Sequence, residues 1–361
     1  MTSGQSRRDF LKVTLAGGAA AATAGRWARA AMAAPAARRG AAPAAAAVAS
    51  GPAKAKARVA LTAGEDHADL AFKGLKMFEK EIAAAIGDKR VILKPNCVSI
   101  VRQEPSTHAK NLEGILEFLA SIGKKNVVIA ESCYGGSTLD GYSFLGFNPV
   151  AAKYGATLMD LDKEDFQVMP VFDQTSMRTK PCRFSKILLD PNSFIISAAK
   201  LKTHDRIVAT LSLKNIVVGA AIKVGRVNDK PLTHGGGTYG TNVNLACLAP
   251  MLHPHLAVID GFQGMEGDGN DTGTFVEHRV CVVSPDWLAA DRVGVELMGI
   301  DFAKLGYLNF CAQANMGEAN LEQIEVLGEA IKDHIKPYKL ARNIDQQLQW
   351  MQAPPAVGRG G

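Results

Sequence analysis

Arg90-Val91-Ile92-Leu93-Lys94-Pro95-Asn96 sets the fold. Its apolar run is too short for a helix and stops at a proline, which lacks the N–H that a strand ladder needs, so residues 90–93 predict a strand. Upstream, Leu70, Lys73, Leu75, Phe78, Ile82 and Ile86 recur mostly at helical spacing, which predicts a helix over 69–86. Downstream, residues 111–122 predict a second helix, with Ser106, Thr107 or Asn111 as its cap and Gly123 as its stop. Residues 126–130 predict the next strand. Further strands are expected at 59–62, 157–161, 168–172, 194–197, 256–260, 278–284 and 322–327, and further helices at 207–222, 243–252 and 286–298. Short β-rich runs alternating with amphipathic segments define an α/β protein, with a mixed, mostly parallel sheet flanked by helices. One large domain over 58–350 is expected, followed by a loose Pro-, Gly- and Ala-rich tail over 351–361.

The chain begins differently. Ser6-Arg7-Arg8-Asp9-Phe10-Leu11-Lys12 precedes a weakly apolar stretch over 13–24 and then the small-residue sites Ala28-Arg29-Ala30 and Ala31-Met32-Ala33. Charged, apolar and cleavable segments in that order form a secretory signal. The paired arginines, the Phe-Leu after them and the Gly- and Ala-rich core look like a twin-arginine signal over 1–33. Residues 34–57, nearly all Ala, Pro, Arg, Lys and Gly, read as a linker. The apolar stretch falls short of the roughly 20 residues a membrane span needs, so no stable span is expected after cleavage. The expected partner at this stage is the twin-arginine translocase, and the destination is the periplasm or the extracellular space.

Charge narrows the partners. The 361 residues carry a formal +6, but ten basic residues and a single acid fall in 1–58. The remainder is net −3, without the overall basic footprint that a phosphate backbone demands, so nucleic acid is an unexpected partner. The six cysteines, Cys97, Cys133, Cys182, Cys247, Cys281 and Cys311, stand at least 30 residues apart. Iron–sulfur clusters and structural zinc sites need closer ligand spacing, and neither is encoded locally. Export permits disulfides, whereas folding first in a reducing compartment argues against them.

Candidate chemistry lies in loops that follow predicted strands, where α/β proteins keep their sites. Lys94 and Asn96 sit on a backbone stiffened by Pro95, and Thr107-His108 opens a helix whose free N–H groups favour an anion. The plainer readings are a solvated lysine and a simple cap. Glu131-Ser132-Cys133-Tyr134-Gly135-Gly136 lacks the spacing of a phosphate or dinucleotide loop, but Ser132 can face a ligand. In Lys200-Leu201-Lys202-Thr203-His204, strand alternation puts Lys200 and Lys202 on one side, with His204 sharing it if the extension continues. Lys214-Asn215 follows in the same apolar surroundings. These groups form an anion cradle, with His204 as a general acid or base. His234-Gly235-Gly236-Gly237 reads as a mobile loop able to close over a site. Asp260 to Gly273 spaces acids through glycines, which can fold carboxylates round a hard cation, with Glu266 and Asp268 as candidate divalent-metal ligands. The stretch is not an EF-hand, because the twelfth position from Asp268 is Arg279.

Taken in order, Val91 to Asn96, Thr107-His108, Glu131-Ser132, Lys200 to His204, Leu213-Lys214-Asn215, Asp260 with Gly264 to Gly269, and Asp291 to Gly299 resemble the domain of unknown function 362 family over roughly residues 58–330. The resemblance places that family's shared positions on Lys94, Asn96, Lys202, His204, Lys214, Asn215 and Glu266. Many members resemble redox proteins in carrying a ferredoxin-like segment with two four-iron clusters. This chain has no clustered cysteines, so an iron–sulfur role does not carry over.

The leading expectation is an exported α/β enzyme that holds an anionic small molecule or cofactor through Lys94, Asn96, Thr107, His108, Ser132, Lys200, Lys214 and Asn215. Lys202, His204 and Glu266 would be catalytic, with redox or divalent-metal chemistry open. The alternatives are a non-catalytic periplasmic binding protein and a partner of an exported redox complex.

Overall fold

A computed structural model describes residues 55–269 and 272–351. The expected signal, most of the linker, all but the first residue of the tail, and Asn270 and Asp271 lie outside the described residues.

Thirteen strands form: β1 Ala57–Ala63, β2 Arg90–Pro95, β3 Val128–Glu131, β4 Thr157–Asp160, β5 Phe166–Asp173, β6 Arg178–Ser185, β7 Ser193–His204, β8 Val208–Thr210, β9 Lys223–Val224, β10 Val227–Asn228, β11 Leu256–Glu266, β12 Thr274–Ser284 and β13 Ile324–Gly328. Eight run in the order β13-β1-β12-β11-β7-β2-β3-β4, and β8 pairs with the end of β7. The pairings β1–β13, β11–β7, β7–β2, β2–β3 and β3–β4 are parallel, whereas β1–β12, β11–β12 and β7–β8 are antiparallel. The sheet is therefore mixed and mostly parallel. β5 with β6 and β9 with β10 make separate two-stranded ribbons.

Both faces of the sheet are covered. Alternation sends Val59, Leu61 and Ile92 into one core layer and Ala60, Val91 and Leu93 into the other. The first layer packs against Leu213, Ile216 and Val217 of helix Ser212–Ala220 and Leu288 and Val293 of helix Trp287–Leu297. The second packs against Leu70 and Leu75 of helix His67–Lys76 and Leu112, Ile115 and Leu119 of helix Ala109–Ser121. Strands buried on both faces must be apolar throughout, which is why β2, β7 and β11 read as runs rather than as alternations.

Several boundaries differ from the sequence reading. The expected helix over 69–86 is two helices, His67–Lys76 and Glu79–Ile86, because Met77 caps the first and Phe78 begins the second. The expected helix over 207–222 starts as β8, and only Ser212–Ala220 is helical, in keeping with its β-branched start. His108, not Ser106, Thr107 or Asn111, caps helix Ala109–Ser121, its Nδ1 accepting the Lys110 N–H at 3.1 Å. β7 and β11 run on well past their predicted ends, so Lys200, Lys202, His204 and Glu266 are strand residues rather than loop residues.

Candidate functional site

Parallel β2 and β3 end side by side at Pro95 and Glu131, β7 continues past Ala198, the partner of Pro95, to His204, and helix Ser212–Ala220 begins beside them. At this carboxyl edge a cavity of about 190 Å³ opens. Lys94, Asn96, Ser132, Lys202, His204, Lys214, Asn215 and Asp268 of the expected residues line it, joined by Glu131, Asp205, Arg206, Lys230 and His234.

Lysine is rarely buried without a partner, yet Lys94, Lys202, Lys214 and Lys230 all stand at 5% exposure or less round this one cavity. Two are fully committed. Lys94 Nζ donates to Glu131 Oε2 at 2.8 Å, Pro95 O at 3.0 Å and Asn215 Oδ1 at 3.1 Å. Glu131 also accepts the Cys97 and Ser132 backbone N–H groups at 3.0 and 2.8 Å. Asn215 Nδ2 binds the Lys94 carbonyl and Ser197 Oγ, so the amide ties β2 and β7 to the helix. Lys230 Nζ reaches the carbonyls of Val218, Gly219 and Ala221, capping the carboxyl end of the same helix. Burial lowers its pKa to about 8.

Lys202 and Lys214 are both shifted by burial. Lys202 Nζ donates to Pro105 O at 2.7 Å, while burial and then the charges of Lys214 and Lys200 push its pKa well below the usual lysine range. Lys214 Nζ meets only a hydroxyl, Thr210 Oγ1 at 3.2 Å, as its hydrogen-bond partner among the described residues, and burial lowers its pKa to about 7. Asp205 works against that shift and Arg206 adds to it.

Two imidazoles face these amines. Burial, then Lys214 and Lys202, hold the His204 pKa well below the usual histidine value, so the ring is neutral at pH 7. Its Nδ1 accepts the Arg206 N–H at 3.0 Å, which leaves the ring proton on Nε2. The same Nδ1 lies 3.0 Å from Asp205 Oδ1, a contact that becomes a hydrogen bond when Nδ1 carries a proton. His234, lowered to about 3 by burial, presents a buried Nε2 without a hydrogen-bond partner among the described residues, as Asn96 does with Oδ1. The His234 to Gly237 segment is not a free lid: the Gly235 carbonyl accepts the Gln174 N–H at 2.8 Å, and Gln174 Oε1 accepts the Gly240 N–H at 2.7 Å. Val208, a β-branched residue at φ 67°, turns the chain sharply from β7 into β8 and carries Asp205 and Arg206 over the cavity.

Other expected residues are placed elsewhere or are committed. Thr107 Oγ1 accepts the Asn96 N–H at 2.9 Å and donates to Ala198 O at 2.6 Å, outside the cavity lining. Ser132 Oγ donates to Asp162 Oδ1 at 2.5 Å. Lys200 and Lys202 do share strand parity, but register sets Lys200 opposite Asp260 on β11, with its Nζ 3.9 Å from Oδ2 and over the Phe275 ring. That carboxylate also accepts His67 Nε2 at 2.8 Å and the His108 N–H at 3.4 Å, and the His67 ring stacks between those of His108 and Phe262. Lys200 and His108 therefore belong to a separate buried cluster. Burial pushes Asp260 up, but His67 and Lys200 outweigh it and hold the carboxyl below its usual range.

Glu266 and Asp268, the described candidate ligands of the acidic turn, each have a partner elsewhere. Glu266 Oε2 accepts the Lys339 N–H at 2.8 Å and does not line the cavity, and Asp268 binds Arg342 through the backbone N–H at 2.6 Å and through the guanidinium. Among the described residues no three His, Cys, Asp or Glu side chains stand together as a metal site. No helix of the described residues is long and apolar enough to cross a membrane.

Glu131, Asp205, Arg206 and Lys230 enter the site without having been singled out from sequence. Glu131 left a signal: a lone acid ending an apolar strand next to a strand that ends in a lone lysine.

Residues 91–296 match the family described as domain of unknown function (DUF362), and residues 4–24 match the twin-arginine translocation pathway signal sequence. The first match takes in more than half of the sequence, and the chain belongs to that family. The signal directs export by the twin-arginine pathway to the periplasm or the extracellular space. A crystal structure of a protein from Thermotoga maritima is similar at 12% identity with a TM-score of 0.39, over 65% of this chain and 60% of that one. The chain thus spans about three-fifths of that protein's length. No curated protein matches the chain.

Proposed function

We propose that this member of the family is an exported enzyme that binds a small carboxylate- or phosphate-bearing molecule at the carboxyl edge of β2, β3 and β7. The observation that carries the reading is Lys214, buried beside Lys202 and Arg206 with only a hydroxyl as hydrogen-bond partner. A buried ammonium costs several kcal/mol without a counter-charge, and an anion in the cavity supplies one. Of the acids in the wall, Glu131 is spent on Lys94 and Asp268 on Arg342, which leaves Asp205. A cavity of about 190 Å³ holds roughly six water volumes, so the ligand is small.

His204 takes a different part from the acid–base role expected of it. A ring that stays neutral, with Nδ1 already accepting, serves as an Nε2–H donor to the bound molecule. Lys214, whose pKa of about 7 suits exchange at neutral pH, is the proton carrier. Asn96 Oδ1, an acceptor, and His234 Nε2, a donor or acceptor by tautomer, have no hydrogen-bond partner among the described residues and orient the ligand.

Inorganic sulfate is the first probe, because its charge is constant across neutral pH. Calorimetry on the exported protein at pH 6 should show binding that weakens at least about tenfold in Lys214→Met, the worth of one buried charge-assisted contact. Lys214→Arg should keep the affinity and lose turnover of any anion that native mass spectrometry finds copurified. Absence of sulfate binding by the wild type overturns the anion site. Turnover retained by Lys214→Arg overturns the proton-transfer role, and a wild type that binds its copurified anion but never converts it is a binding protein.

A further inference from the structure

Two of the six cysteines meet beneath the cavity. Cys97 follows β2 and Cys133 follows β3, two neighbouring parallel strands. The Tyr134 N–H donates to Cys97 O at 3.1 Å and the Gly135 N–H to Val98 O at 2.9 Å, so the two segments stay zipped beyond the strand ends. Both sulfurs point at the same bare glycine: a Cβ at Gly141 would lie 2.5 Å from Cys97 Sγ and 3.2 Å from Cys133 Sγ. The sulfurs are therefore at most 5.7 Å apart. Cys97 lines the cavity, whereas Cys133 is sealed behind it. Cys182, Cys281 and Cys311 are buried, and Cys247, which acts on the Cys311 thiol, is exposed.

We infer that Cys97 and Cys133 are a redox pair that closes reversibly to a disulfide after export, clamping the ends of β2 and β3 under the site. Of the two, Cys133 is the more readily ionised, favoured by the neighbouring Cys97 thiol, while Cys97 is pushed up by Cys133 and by burial. Transfer of the Cys97 proton to a Cys133 thiolate leaves the nucleophile, a Cys97 thiolate, at the cavity wall.

Hydrogen peroxide is an oxidant small enough for a cavity of about 190 Å³. The Cys97 sulfur attacks the O–O bond, taking one oxygen as a sulfenic acid and releasing hydroxide, which a solvent proton converts to water. The Cys133 sulfur then attacks the Cys97 sulfur, the S–O bond breaks, and the Cys133 proton leaves with the oxygen as a second water. Two thiols are oxidised to one disulfide and one peroxide is reduced to two waters. The bridge ties the segment that holds Asn96, and the Cys97 N–H that grips Glu131, to the segment that holds Ser132.

The test is a thiol count on the exported full-length protein, treated with one equivalent of hydrogen peroxide or with dithiothreitol, then denatured in excess iodoacetamide. The reduced sample should take up six alkyl groups and the oxidised one four, with a backbone mass lighter by about two units and a peptide joining Cys97 to Cys133. Dithiothreitol should restore six. In Cys133→Ala the bridge should vanish and dimedone should label Cys97 after peroxide. Six alkylated cysteines after peroxide, a bridge through any other pair, or an irreversible sulfinic acid at Cys97 in the wild type overturns the inference. Peptide mapping of the wild type decides the matter even if the variant does not fold.

Discussion

Lys94 Nζ and Glu131 Oε2 lie 2.8 Å apart in a pair that solvent does not reach, one at the end of β2 and the other at the end of β3. Every remaining Lys94 proton is also bonded, to Pro95 O and Asn215 Oδ1, so the pair sets the distance between the two strand ends that frame the cavity. Glu131→Gln leaves a buried ammonium without its counter-charge. The expected loss is about 3–5 kcal/mol in urea unfolding. Removing both charges in Lys94→Met/Glu131→Leu should recover much of it, and a single Glu131→Gln change within 1 kcal/mol of wild type would contradict the assignment.

Gly219 tests the same pair from the helix side. In a helix interior Gly→Ala ordinarily stabilises by about 1 kcal/mol. Here the new Cβ would lie 2.2 Å from Lys94 Cε and Nζ and must displace the ammonium from Glu131. Gly219→Ala should therefore destabilise, and Lys94→Met should restore the ordinary sign. A stabilised single variant would show that Lys94 yields at no cost.

The layered α/β architecture was legible because strands buried on both faces have to be apolar, and Arg90 to Pro95 and Leu256 to Asp260 announce that directly. The ends of β7 and β11 were not. Lys200, Lys202 and His204 look like loop residues, and only pairing with β11 and β8 keeps the chain extended through them. The cations at the site were legible as charges set in apolar surroundings. Their division of labour was not, because it depends on tertiary neighbours: Lys200 is diverted to Asp260 by strand register, and Lys94 to Glu131 by adjacency of two strand ends. In the acidic glycine turn, residues 339–342, some seventy positions on, supply donors to Glu266 and Asp268 that the local sequence does not announce.

That clasp gives a prediction for the turn. Glu266→Ala removes the acceptor of the Lys339 N–H at a solvent-exposed contact, where water replaces it, so the expected loss is about 1 kcal/mol or less. Proteolysis should speed up near 339–342 while sulfate affinity stays at the wild-type level. Calcium or magnesium at millimolar concentration should leave the melting temperature of both proteins unchanged. A rise confined to the wild type would return Glu266 to the role of metal ligand.

Lys214 ties the site to pH, and its sign follows from where its proton is held. The pKa of about 7 in the folded protein lies below the roughly 10.4 of an unfolded lysine. Between those values the unfolded chain binds more protons, so this group makes stability rise with pH. Its burden on folding is complete below about pH 7 and is relieved as pH climbs toward 10. Anion binding runs the other way, because the ligand needs the ammonium and should weaken as pH rises through 7. Lys202, Lys230, Arg206, Asp205 and the neutral rings of His204 and His234 face the same cavity, so the Lys214→Met variant isolates the contribution. Sulfate calorimetry from pH 5.5 to 8.5 should show wild-type affinity falling above pH 7 and a flatter profile in Lys214→Met. Urea unfolding over pH 7 to 10 should show the wild type gaining on the variant. Parallel curves in both experiments would mean that Lys214 keeps its proton throughout, and the cavity would then lack its proton carrier.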